Sequence, residues 1–163
     1  MRKKLLLIPL IVVTSLSVTG CFIFDSDSHV ARENFLKILD YIESDEKEKL
    51  KDLFAPVVKD EVSYLDSQID DLFEYYIGEH VSTAARGLGS TGPIENGKVI
   101  KIFEMFYTAI SSDFAYFFKI QWCIRDDWDS NNVGIWSMIV ERCEDFEAVP
   151  TPLEEWTKGI VLI

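Results

Sequence analysis

The sequence predicts an α+β domain, with three N-terminal helices packed on one face of a curved antiparallel sheet of about four strands. Three observations carry this. Apolar residues recur at helical spacing from Ala31 to Tyr76. After Gly78 the period changes, and from Phe114 to Arg125 apolar and polar residues alternate as along a half-buried strand. Between the two regimes, Asn96-Gly97 signals a tight hairpin, because both residues tolerate positive φ. Helices first and hairpin-linked strands afterwards make a two-layer domain.

The first element is a leader over residues 1–20. Arg2, Lys3 and Lys4 precede an apolar run from Leu5 to Leu16, and Val18-Thr19-Gly20 leads into Cys21. The run is about twelve residues long where a membrane span needs roughly twenty, which predicts a cleaved signal rather than a permanent span. The pattern is that of a lipoprotein signal. Cleavage before Cys21 frees its thiol for a diacylglyceryl group and its amine for a third acyl chain, and two or more chains anchor stably. An ordinary secretory signal with a chance cysteine is the alternative. Residues 21–28 then form a lipidated tether, with Phe22, Ile23 and Phe24 resting in the interfacial zone. Seven extended residues reach at most roughly 25 Å, so the domain sits close to the bilayer.

The domain itself is expected over residues 29–146. Ala31, Phe35, Ile38, Leu39 and Ile42 line one face of a first helix, capped by Ser26 or Ser28. Ser44 or Asp45 starts a short second helix carrying Leu50, Leu53 and Phe54, with Pro56 close to its end. A third begins near Lys59, buries Val62, Leu65, Ile69, Leu72, Phe73 and Tyr76, and stops at Gly78. Residues 78–97 are rich in Gly, Ser and Thr and predict a loop with an edge strand around Glu79–Arg86. Val99–Ala109, Phe114–Arg125 and Val133–Cys143 form a meander, with Ser111-Ser112-Asp113 as the first turn. In its middle strand Phe114, Tyr116, Phe118, Ile120, Trp122 and Ile124 face the core. Ala115, Phe117, Lys119, Gln121, Cys123 and Arg125 face a mostly wet side. A tail over residues 147–163 opens with a capping box, Thr151-Pro152-Leu153-Glu154, for a short helix to Lys158. Its apolar end, Ile160–Ile163, docks on the domain.

Charge and cysteine usage narrow the function. The formal net charge is −12, and the leader holds three of the sixteen basic residues and no acid, so the mature chain lies near −15. Such a surface repels phosphate backbones and anionic lipid, which excludes nucleic acid as a partner and leaves anchoring to Cys21. With Cys21 lipidated, Cys123 and Cys143 remain. On one hairpin turning near Trp128 they face Gly134 and Phe114 respectively, about 30 Å apart along the strands. That exceeds the roughly 7 Å limit for a disulfide, so free thiols are expected.

Leu65–Glu74, Ile94-Glu95-Asn96-Gly97-Lys98 and Asn131-Asn132-Val133-Gly134-Ile135 resemble segments of a small family of uncharacterised bacterial lipoproteins. The likeness spans roughly Ala31 to Val140. The order of elements also resembles the cystatin-like, nuclear-transport-factor-2-like cone. The resemblance implies that fold, a lipid anchor and a Gram-positive cell surface, and it carries no established activity. Cones of this kind commonly enclose a pocket for apolar ligands, for isomerase or dehydratase chemistry, or for partners, which is analogy from fold alone.

Motifs that carry chemistry are few. Gly87, Gly89 and Gly92 match the dinucleotide pattern, but Pro93 and the Asn96-Gly97 turn follow where a helix must open, so a loop is expected. Asp127, Asp129 and Asn131 occupy the first, third and fifth places of a calcium loop, with Asp126 beside them. The sixth place is Asn132 instead of Gly and the twelfth Met138 instead of Glu, which favours a solvated turn. His80, Tyr116 and Asp113 are the candidates for proton transfer at a cone mouth, with no spacing that binds them together. His29 lies beside the tether. Phe118 and Trp122 belong to a core stripe that also serves as a pocket wall if a pocket exists. Trp128, among acids at a loop tip, is the candidate for partner contact. No cofactor is expected.

These readings converge on a membrane-anchored, outward-facing lipoprotein that binds a small apolar ligand, a peptide or an envelope protein. A pocket enzyme of isomerase or dehydratase type is the rival class, and a purely structural or interaction role the third.

Overall fold

The computed structural model describes residues 27–143 and 159–162. The leader, Cys21, Phe22–Phe24 and the capping box at Thr151–Glu154 lie outside them. Among the described residues, four helices pack against a six-stranded, mostly antiparallel sheet, an α+β arrangement.

Helix α1 covers residues 27–43, and Ala31, Phe35, Ile38, Leu39 and Ile42 are all buried, as the periodicity requires. It starts earlier than the tether boundary allows. Asp27 and Ser28 are helical, and the Asp27 carboxylate accepts from Lys101 Nζ at 2.6 Å. Helix α2 spans Lys47–Asp52, and Pro56 does not end it but opens α3, Pro56–Glu61, at its first turn. The expected third helix is therefore two, α3 and α4, Leu65–Tyr75. Val58, Val62, Leu65, Ile69 and Leu72 are buried at unbroken helical spacing, so the period carries no mark of the break. At the α2–α3 link, Ala55 N donates to Ile135 O and Ile135 N to Leu53 O, stitching the link to the sheet.

The strands are β1 His80–Thr91, β2 Ile94–Glu95, β3 Lys98–Ser111, β4 Ala115–Asp126, β5 Gly134–Cys143 and β6 Gly159–Leu162. Sheet order is β1-β3-β4-β5-β6, with β2 pairing β3 in the Asn96-Gly97 hairpin, whose turn residues have φ of 51° and 78°. One expectation needs correction. The Gly-rich segment is no loop: β1 runs twelve residues along the sheet edge and takes in Gly87 and Gly89, because pairing with β3 overrides weak strand propensity. The apolar end of the tail docks as expected, as a strand: β6 joins β5 in parallel and Ile160 enters the core.

Cys123 pairs with Gly134 and Ala115 with Cys143, the expected register, and both thiols are free. Register shifts interrupt β1, β3–β4 and β4–β5, and bulges of this kind bend strands. The face expected to be wet is partly dry, for Cys123 and Ile139 are buried there and Phe106 stacks near Phe117.

The sheet has two ends. At the hairpin end lie the β2–β3 turn, the β4–β5 loop over residues 127–133 and the start of α1. At the far end, the α4–β1 connection meets the β3–β4 turn.

Candidate functional site

The interior between helices and sheet is the first place to look for a ligand, and among the described residues buried aromatic side chains pack there. Phe35 stacks on Tyr107 with centroids 4.3 Å apart and meets Phe118 edge-on at 5.1 Å. Phe118 is fully buried and Trp122 nearly so, which makes them core rather than the wall of a cleft.

The proton-transfer candidates do gather, all at the far end, but each is engaged locally. Tyr116 Oη accepts from Ile77 N at 2.8 Å and donates to Tyr75 O at 3.1 Å. Burial pushes its pKa up, partly offset by the bond from Ile77. His80 Nε2 pairs with Thr83 Oγ1 at 2.8 Å, while its backbone N donates to Glu43 Oε1. Asp113 Oδ2 accepts from Ser112 Oγ at 2.9 Å in the exposed β3–β4 turn. Neighbouring Ser111 Oγ donates to Ile77 O at 2.7 Å, and Ser112 and Glu79 exchange two bonds. The sum is a clamp on residues 75–80. Tyr76 packs on Tyr116 at 4.6 Å, and its hydroxyl has no partner among the described residues, so burial raises its pKa strongly. Ser111 and Glu43 were missed by sequence reasoning. A carboxylate in the last turn of a helix opposes the macrodipole and was the available signal for Glu43.

At the hairpin end the acids are likewise engaged. Asp126 accepts from Trp128 N, Asp129 N and Asn132 Nδ2, and these bonds, the Asn132 one first, hold its pKa below the usual carboxylate range. Asp127 takes a two-pronged contact from Arg125 and a third bond from Val99 N, which lower its pKa too. Asp129 caps the 3-10 turn Ser130–Asn132 by accepting from Asn131 N. Asn131 thus contributes backbone, and among the described residues no group of three or more His, Cys, Asp or Glu is placed to hold a metal. Gly134, from the Asn131–Ile135 motif, has φ of +136°, and a Cβ there would lie 2.5 Å from Ala55 N. Trp128 stays 44% exposed, with Lys98 Nζ 5.8 Å from its ring centre.

A third place is an open groove of about 380 Å³ between α4 and β6, lined by Tyr64, Gln68, Asp71, Ile160, Val161 and Leu162. Gln68 Oε1 accepts from Ile160 N at 3.1 Å and so fixes β6 under the helix. Gln68 lies within the Leu65–Glu74 motif, but nothing local in the sequence marked it as the link to a strand more than ninety residues away.

Among the described residues, no helix is long and apolar enough to cross a membrane. No curated protein matches the chain. Residues 37–146, most of its length, match the family described as "Domain of unknown function (DUF5104)", and the chain belongs to that family.

Proposed function

We propose that this protein is a lipoprotein anchored through Cys21 on the outer side of a cell membrane, and that its cystatin-like, nuclear-transport-factor-2-like domain binds a peptide or another envelope protein on its exterior. The observation that supports this is the packing of the interior among the described residues: Phe35 stacks on Tyr107 and meets Phe118 edge-on in the space between helices and sheet. The engagement of Tyr116, His80 and Asp113 in backbone and turn bonds speaks against the pocket-enzyme reading in the same way. The α4–β6 groove is the favoured site. It has an apolar floor in Ile160 and Leu162, a half-exposed aromatic in Tyr64 and beside it the outer edge of β6, which pairs with no other strand among the described residues. A partner segment there would be extended and apolar, with basic flanks suited to Asp71 and to a chain of net charge −12.

Native mass spectrometry on the lipoprotein gently extracted from its own cells tests this. A protein-sized adduct that disappears in Tyr64→Ala is expected. An adduct of a few hundred daltons would reinstate an interior ligand, and a bare monomer would overturn the reading. Separately, Cys21→Ala should release the protein from the membrane fraction, and its persistence there would sink the anchor.

A further inference from the structure

Six peptide steps separate Cys21 from Asp27, a reach of at most roughly 20 Å. Asp27 is not free to place that tether anywhere. Both its carboxylate oxygens accept from Lys101 Nζ at 2.6 Å, and Lys101 pairs with Arg125, next to the β4–β5 loop. The tether therefore leaves the domain at the hairpin end. The far end, at Ile110 and Ala115, lies about 30 Å further along β3.

The hairpin end also presents large apolar groups to solvent. Ile94 is 73% exposed at the start of β2, Trp128 is half-exposed, and Val133 and Val30 are exposed beside the same loop and on the first turn of α1. Its charges are arranged so that they do not forbid contact with lipid. Asp126, Asp127 and Asp129 are turned onto backbone amides, Asp127 also onto Arg125, and Lys98 lies over the Trp128 ring, while Glu95 remains as an acid. A Trp with a cation beside it suits the interfacial zone of a bilayer, where an apolar ring and a polar edge are both satisfied.

We infer that the hairpin end is a membrane-docking surface: Ile94 and Trp128 rest in the interfacial zone of the bilayer that holds the lipid anchor, leaving the α4–β6 groove and the far end facing away. This rests on the anchored reading, and commits to lipid as the occupant because the pinned tether leaves that end within reach of the bilayer.

The test uses the acylated protein extracted from its own cells and reconstituted into phosphatidylcholine vesicles with brominated acyl chains. The Trp128 emission, taken as the difference between the native protein and Trp128→Phe, is expected to fall at least about twofold relative to unbrominated vesicles. Ile94→Asp should weaken that quenching. A Trp placed at the far end by Val81→Trp, in the Trp128→Phe background, should stay unquenched. Protein that floats with the vesicles but keeps full Trp128 emission would overturn the docking surface while leaving the anchor intact. So would equal quenching at position 81, which means a domain with no preferred face. Unquenched Trp128 with a protein-sized adduct that is lost in Trp128→Ala and kept in Tyr64→Ala would assign the hairpin end to a protein partner instead. Protein that carries no acyl chain and does not float overturns the anchor and the docking surface together.

Discussion

At the far end of the sheet, phenols and serine hydroxyls hold the α4–β1 connection; at the hairpin end, carboxylates hold the β4–β5 loop. Tyr116, Ser111 and Ser112 bond the backbone of residues 75–79 from beneath, and Tyr76 lies buried against Tyr116. Asp126, Asp127 and Asp129 bond the backbone of residues 99 and 128–131 from the surface. The two clamps use the same hydrogen-bond logic, yet one is buried with its aromatic bodies inside. The other is exposed and leaves Trp128 outside. A cluster of ionisable residues therefore need not be a reaction site. Here both clusters hold turns, and the surface left over at each end decides what that end can touch.

The sharpest way to break this comparison is at Tyr116. Tyr116→Ala removes a fully buried ring and should destabilise the domain by about 3–5 kcal/mol in denaturant unfolding. Tyr116→Phe keeps the ring but leaves Ile77 N–H and Tyr75 C=O without their partner, and should cost about 1–3 kcal/mol. Hydrogen exchange should then quicken over residues 75–80 and not over residues 126–133. Equal loosening at both ends would mean that the clamps are one cooperative unit.

Gly134 tests the buried side of the hairpin end. With its positive φ and the α2–α3 backbone well inside van der Waals distance of an added Cβ, Gly134→Ala should cost about 1–3 kcal/mol or more, again by denaturant unfolding. A near-neutral result would show that the α2–α3 link yields.

The same contrast explains what could be read from the chain. The helix α1 stripe, the hairpin turn at Asn96-Gly97 and the Cys123–Gly134 register were legible because period, turn chemistry and strand pairing are local or nearly so. The α3–α4 break and the full length of β1 were not. Val58 to Leu72 keep one helical stripe across the break, and β1 owes its last residues, including Gly87 and Gly89, to pairing with β3. At the candidate sites, Tyr116 and Trp128 were singled out by residue type, but their roles depend on Ile77, Tyr75 and Lys98, which only tertiary structure brings near. Ser111 and Gln68 act through backbone partners far away in sequence, and no spacing rule finds those.

pH separates the ends by sign. The pKa values of Tyr76 and Tyr116 are raised by burial, so their contribution is complete below the unfolded tyrosine value of about 10 and is lost as pH climbs above it. Those of Asp126 and Asp127 are lowered by hydrogen bonds, so their contribution is present above the unfolded value of about 4 and is lost as pH falls through the lower folded values. Phenolate absorbance should therefore report the far end opening in base. Trp128 emission, taken against Trp128→Phe, should report the loop loosening in acid. Trp128 emission that changes first in base would sink the assignment of the loop to its carboxylates.

The smallest expected effect is on Trp128 itself, and it carries the most for function. Its ring is half-exposed and meets Lys98 Nζ at 5.8 Å from the centre, a surface cation–π pair. The bonds that shape the loop run through its backbone N–H to Asp126, which Ala retains. Trp128→Ala should therefore change stability by no more than about 0.5 kcal/mol, the ordinary range for an exposed site. A buried aromatic truncated in the same way loses several kcal/mol, as predicted for Tyr116. If Trp128→Ala instead costs more than about 2 kcal/mol, the ring is part of the core and cannot serve as a contact for membrane or partner. If stability holds, a large apolar ring is kept in solvent on a loop pinned by three carboxylates, near the start of α1. The ring is then available to the docking surface proposed for this end, and its quenching by brominated lipid decides whether it is used there.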